Sequence, residues 1–240
     1  MLTPSGRKPD YCRLFHEIRR KEQGRGMALF PIWIDWQGVP CLIAGGGSLA
    51  RRKAELLCAQ GADVTVAAPE ICSELRALPV TVLCRTVRAE DVEGRFLVVD
   101  ATGDAEAEAL LRDACRAGHI PFNSACRGED TTALFPAVHR QGRTVLAVSS
   151  TGASPAASAW LRDRLAEHIP ERMDEILAIL ARLRPLSREY FDDQPTRRRF
   201  LRRCLDAMLV KGEPLAPEEI EDLRQAIQTE RESIKEEQER

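Results

Sequence analysis

Three consecutive glycines, Gly45, Gly46 and Gly47, follow the apolar run Pro40–Ala44 and precede Ser48, Leu49 and Ala50. Glycine at 45 permits a tight turn. Glycine at 47 lets the backbone approach a pyrophosphate with no Cβ in the way, and alanine at 50 lets a following helix pack closely on the strand. A helix starting there offers free N–H groups and the positive end of its dipole to phosphates. Strand, Gly-x-Gly-x-x-Ala and helix in one βαβ unit is the pattern of a dinucleotide cradle. The second strand, 64–68, would carry the acid that reads a ribose hydroxyl. No acid stands at Ala67 or Ala68, and Glu70 is the nearest. Glu70 would serve equally as an acid at the start of a short helix over 72–78. No arginine directly follows the strand to pair with a 2′-phosphate, so NAD is preferred to NADP.

The eight cysteines, at 12, 41, 58, 72, 84, 115, 126 and 204, are never closer than 11 residues. That spacing contains no C-x-x-C pair and no zinc-finger set, so no metal site is expected and most are read as small buried thiols in a reducing compartment. The four histidines (His16, His119, His139, His168) have no ligand-spaced partners, and His139 is the one to test for acid–base or metal contact.

The elements that must position these residues follow from periodicity. Short strands at 40–44, 64–68, 80–84, 95–101, 120–123 and 144–149 alternate with helices at 49–59 and 104–117. Asp104 would cap the second of these helices and Gly118 would stop it. Such alternation implies βαβ units and a parallel sheet. After Pro155 the chain reads as helical: 156–168, 172–183 ending before Pro185, 195–211, and 217–240. The last carries only a thin apolar stripe (Ile220, Leu223, Ile227, Ile234) and reads as solvated or packed on a partner. The basic run 197–203 reads as the solvated face of an amphipathic helix that the acidic tail could neutralise.

The chain has 240 residues, 44% hydrophobic and 30% charged, with a net charge of −2. That balance excludes collagen-like, disordered and integral-membrane classes and argues against general nucleic-acid binding. The first 26 residues are polar and basic, with Leu14, Phe15 and Ile18 at helical spacing and no apolar signal core. A cytoplasmic protein without membrane partners is expected.

Gly45–Lys53 resembles the G-G-G-x-V-A-x-R-K loop of the siroheme synthase N-terminal module, a family of precorrin-2 dehydrogenases, some also sirohydrochlorin ferrochelatases. Phe30-Pro31-Ile32 is similar to its L-P-I-F strand, Ala101-Thr102 to its A-A-T-D, and Phe122-Asn123 to its C-N. Leu134–Ala137 is similar to its F-I-M-P-S and Val145–Pro155 to its V-A-V-S-S-G-G-T-S-P. The likeness covers about residues 29–183, without gaps from Asn123 to Pro155.

The resemblance implies an α/β fold: a Rossmann-type parallel sheet, then a dimerisation region and a C-terminal helical domain. The expected divisions are 1–26 as an extension, 27–122 as the NAD-binding domain, 123–155 as the dimerisation region and 156–240 as the helical domain and tail. It implies a homodimer that oxidises precorrin-2 to sirohydrochlorin, passing a hydride to NAD⁺. Gly45, Gly46, Gly47, Ser48, Leu49, Pro69, Glu70 and Thr102 become cofactor contacts, and Ser150 takes the place of the family's functional serine. A tetrapyrrole with many carboxylate arms calls for guanidinium donors, and Arg127 is the nearest, with Arg140 and Arg143 in the same region. Asn123 and Cys126 are the catalytic candidates. Where bifunctional members have Asn-Val-Val-Asp, this chain has Asn123-Ser124-Ala125-Cys126. Metal insertion requires removing two pyrrole protons, which a carboxylate does better than a thiol that is mostly protonated at neutral pH. Dehydrogenation without efficient metal insertion is therefore expected, with a bifunctional dehydrogenase and sirohydrochlorin ferrochelatase, or a non-enzymatic NAD-sensing module, as the alternatives.

Overall fold

The structure is a computed structural model that describes residues 29–126 and 131–238, with side chains through 233 in the last helix. The expected helix near 12–22, Arg127 and the side chain of Ile234 lie outside the described residues. The chain divides into two compact units, one ending at Leu134 and the other starting at Phe135.

The first unit holds five strands: β1 (Pro40–Ala44), β2 (Asp63–Ala67), β3 (Thr81–Leu83), β4 (Leu97–Asp100) and β5 (Phe122–Ser124). They form one parallel sheet in the order β3-β2-β1-β4-β5. Between them lie α1 (Ser48–Cys58), α2 (Ser73–Arg76), a 3₁₀ turn at Ala89–Val92 and α3 (Ala105–Ala117). Right-handed crossovers running outward from β1 in both directions put α1 and α3 on opposite faces. Leu42, Val98 and Phe122 stand in register across β1, β4 and β5, under Leu111 and Cys115 of α3. Burying each such side chain contributes about 1.5–3 kcal/mol before entropy is counted. Asp104 caps α3, accepting from the N–H groups of Glu106 (2.8 Å) and Ala107 (2.9 Å). Gly118 keeps a right-handed φ of −85° and the left-handed residue is His119, at +53°.

The expected boundary at 122/123 cuts β5, which carries Asn123 and Ser124 into the first sheet, and the division falls twelve residues later, between Leu134 and Phe135.

The second unit opens with an antiparallel hairpin, β6 (Ala137–Gln141) and β7 (Thr144–Val148). Only β7 was anticipated from the sequence. Gly142, at φ +54°, occupies the first position of the two-residue turn, where a hairpin needs it. Four helices follow: α4 (Pro155–Ala166), α5 (Met173–Tyr190), α6 (Gln194–Lys211) and α7 (Pro217–Gln238). Their core joins Ile176 and Leu183 of α5, Phe191, Phe200, Cys204 and Met208 around α6, and Ile227 of α7.

Two sequence expectations need correction here. α5 does not stop before Pro185 but continues to Tyr190. Proline removes one backbone bond, yet Leu183 before it and Leu186 after it pack into the helical core. α7 is not merely solvated, because Ile227 is fully buried and Ile220 and Leu223 pack on the same core. A narrow stripe suffices when two other helices share the enclosure. The basic run on α6 is partly neutralised, as the charges suggested: Arg199 and Arg203 both pair with Glu230 of α7, the latter at 2.7 Å.

Candidate functional site

Each glycine of the loop after β1 meets different surroundings. Gly45 has φ +117°, and a Cβ there would lie 2.5 Å from the carbonyl oxygen of Ala101. A Cβ on Gly46 would collide with the Glu70 carbonyl and approach Ile71 Cα to 2.9 Å, while the Gly46 carbonyl accepts the Cys72 N–H at 2.9 Å. A Cβ on Gly47 would meet nothing within 4 Å. Two glycines are thus demanded by neighbouring backbone, and the third borders open space.

Gly47 also begins α1, where no side chain caps the helix and the first turn contains no acid. The first-turn N–H groups of a helix lack intrahelical acceptors, and its positive dipole end favours an anion. Ser48 is exposed and Leu49 half-buried at this start, while Ala50 is buried against the sheet. The residues present fit a dinucleotide pyrophosphate: open room beside Gly47 and an uncapped helix start.

Two segments wall the loop. After β2, Pro69 and Glu70 are exposed, and the Glu70 carbonyl abuts Gly46. After β4, exposed Thr102 follows Ala101, whose N–H donates to the Ala44 carbonyl at 2.8 Å. The structure therefore brings Gly45, Gly46, Gly47, Ser48, Leu49, Pro69, Glu70 and Thr102 to one edge of the sheet, at the crevice where strand order reverses between β1 and β4.

Asp100, the last residue of β4, went unremarked in the sequence. It is 0% exposed. Its Oδ1 accepts the Thr102 hydroxyl (2.7 Å) and N–H (3.1 Å), while its Oδ2 is buried with no partner. Burial pushes the Asp100 carboxyl up, the Thr102 bonds pull it down, and the charges of Glu108 and Asp104 add to the upward push. The signal was available: an acid closing the apolar run Leu97-Val98-Val99 directly before Ala101-Thr102.

The catalytic candidates lie one strand further along. Asn123 sits in β5 beside Val99, on the opposite face from Asp100 and Ser124. Its Nδ2 donates to the Ala133 carbonyl at 2.8 Å, and its Oδ1 is buried without a partner. Cys126 is exposed just past β5, where the Ala125 N–H donates to the Asp100 carbonyl at 2.9 Å. Ser150 belongs to the second unit. Its hydroxyl donates to the Ser154 carbonyl (3.0 Å) and accepts from the Ser154 N–H and the Ser158 hydroxyl, both at 2.9 Å. His139, in β6, has a buried Nε2 with no partner, and Arg143 uses its backbone N–H to hold Asp174 at 2.7 Å.

The sheet order and the glycine loop define a dinucleotide-binding protein of Rossmann type. Residues 32–137 match the family described as "Putative NAD(P)-binding". The chain is similar to siroheme synthases over about three quarters of its own length. The siroheme synthase of Nitrosomonas eutropha is 33% identical over 184 residues, covering 75% of this chain and 39% of that protein. That of Thiobacillus denitrificans is 34% identical over 177 residues, covering 72% and 36%. The chain thus spans about two fifths of the length of the curated relatives it matches. Among solved structures, SirC, a precorrin-2 dehydrogenase, superposes with a TM-score of 0.60 at 23% identity over 84% of this chain and all of its own, and so shares the fold.

Proposed function

We propose that the chain oxidises precorrin-2 to sirohydrochlorin, with NAD⁺ accepting a hydride and one proton released per turnover. The observation that carries this reading is the open space at Gly47, at the uncapped start of α1, in a chain similar to siroheme synthases. The α1 N–H groups and the Gly47 backbone bind the pyrophosphate. Glu70, exposed three residues past β2, accepts from a ribose hydroxyl and would repel a 2′-phosphate, which favours NAD over NADP. Thr102 forms the opposite wall. We assign Arg127 and Ser150 to the substrate's carboxylate arms, Ser150 on releasing its hydroxyl proton from the Ser154 carbonyl, and Asn123 and Cys126 to the dehydrogenation step. Hydride transfer mainly requires that carbon to be held about 3–3.5 Å from the acceptor, which is a matter of positioning.

We read the protein as a cytoplasmic homodimer formed through the 123–155 region. Exposed apolar side chains at Val138, Trp160, Leu161 and Leu165 support a subunit contact in the second unit. Among the described residues, no helix is long and apolar enough to cross a membrane.

The test is anaerobic incubation with precorrin-2 and NAD⁺, following the sirohydrochlorin spectrum and NADH absorbance together, and then adding Fe²⁺ or Co²⁺. Matched appearance of both products supports the reading. NAD⁺ binding without any turnover would favour the sensing module instead.

A further inference from the structure

We infer that Asp100 is a positioning residue that fixes Thr102 against the glycine loop and so sets cofactor affinity. This rests on the NAD-binding reading above. Asp100 is wholly buried at the carboxyl end of β4, where it stands in register with Ala44 of β1 and Ser124 of β5. Its Oδ1 takes both the hydroxyl and the N–H of Thr102, at 2.7 and 3.1 Å. The Thr102 hydroxyl oxygen in turn accepts the Asp104 N–H at 3.1 Å, and Asp104 caps α3 through Glu106 and Ala107. One chain of hydrogen bonds therefore runs from the sheet edge through Thr102 to the start of α3.

The same turn is the surface on which the glycine loop rests. A Cβ on Gly45 would come 2.5 Å from the Ala101 carbonyl oxygen and 3.2 Å from the Thr102 nitrogen. Moving Thr102 thus moves the floor beneath Gly45, which sets where Gly47 and the start of α1 present their N–H groups.

A role in folding alone does not account for this residue. The Oδ2 oxygen is buried with no partner, and the Glu108 and Asp104 charges oppose ionisation. An enclosed carboxylate with an unsatisfied oxygen destabilises the native state, and a neutral side chain would close this strand at lower cost. Groups held at such expense beside a ligand crevice are where function rather than folding selects the residue. Asp100 touches no exposed surface, so it acts through Thr102 and not on the cofactor itself.

The experiment measures NAD⁺ affinity by calorimetry and thermal midpoint for wild type, Asp100→Ala, Asp100→Asn, Thr102→Val and the Asp100→Ala/Thr102→Val double variant. Asparagine keeps an acceptor oxygen for Thr102, whereas alanine does not. Asp100→Ala is expected to weaken NAD⁺ binding at least five-fold without lowering the thermal midpoint. Asp100→Asn should restore affinity to within two-fold of wild type. The double variant should bind no more weakly than the worse single variant, because Thr102 acts only when held. Should Asp100→Ala fail to fold, the asparagine and Thr102→Val chains still decide: asparagine losing affinity as valine does would overturn the inference. Wild-type affinity in Asp100→Ala, or losses that multiply in the double variant, would also overturn it, while leaving the NAD-binding reading intact. A wild-type chain binding neither NAD⁺ nor NADP⁺ would overturn that reading and this inference together.

Discussion

Gly46 and Gly47 are adjacent, but a methyl group added to each should fail in opposite ways. At Gly46 it strikes the Glu70 carbonyl, which is backbone and cannot swing aside. Gly46→Ala should therefore destabilise the fold by about 1–3 kcal/mol, visible as a lower denaturation midpoint. At Gly47 there is room, so Gly47→Val should fold normally and lose NAD⁺ binding in calorimetry. Unchanged affinity in that variant would refute the pyrophosphate placement. Cys126 is the second residue with a sharp expectation. Cys126→Asp should keep dehydrogenation within about an order of magnitude, since positioning dominates that step, and should raise the rate of metal insertion by supplying a proton acceptor. Cys126→Ala should leave dehydrogenation largely intact. Brisk iron insertion by wild type that is lost in Cys126→Ala would instead make the thiol the reacting group. The glycine loop was legible because its demands are local: φ at 45 and clearance at 47. Asp100 was not, because an acid is read as a surface residue until its strand is known to be enclosed on both sides.

At the scale of elements, α7 shows how packing overrides a pattern. Ile227 is fully buried in the helical core although its helix looked too polar to belong there. Ile227→Ala should cost about 2–5 kcal/mol of stability in chemical denaturation. α5 passes Pro185 for the same reason: a local stop signal is weaker than buried contacts on both sides of it. β6 was missed because Ala137–Gln141 alternates only weakly, and its clearest mark was the Gly142 turn that follows. The close of β4 carries a pH signature. Burial raises the Asp100 carboxyl above its unfolded value near 3.9. Between those two values the folded chain holds more protons than the unfolded chain, so stability falls as pH rises through that interval. Above it the loss is complete and constant. Asp100→Asn should remove this slope and raise the thermal midpoint at neutral pH. A wild-type stability profile without that decline, once other carboxylates are allowed for by comparison with the variant, would show that Asp100 is not strained.

At the scale of the whole molecule, each unit presents apolar side chains to solvent. The first buries its strands but leaves Phe30 and Trp33 ahead of β1 in solvent, and the second leaves Trp160 63% exposed along with Leu161 and Leu165 on one helix. Light scattering at micromolar concentration should give twice the mass of one chain, and Trp160→Glu should shift it toward the single-chain mass. A wild-type monomer would refute the dimer. The thiols give the molecule a further property. Burial pushes Cys41 and Cys115, in the first unit, and Cys204, in the second, up to about 11. At pH 7 only about one such thiol in ten thousand is the reactive thiolate, whereas Cys84 and Cys126 are exposed. Alkylating reagents will therefore mark those two at once and wait for Cys41, Cys115 and Cys204 until the surrounding unit opens. The chain carries its own stopwatch for each half: modification of Cys41 and Cys115 times the breathing of the nucleotide-binding sheet, and modification of Cys204 times the helices, from one sample and without any introduced label.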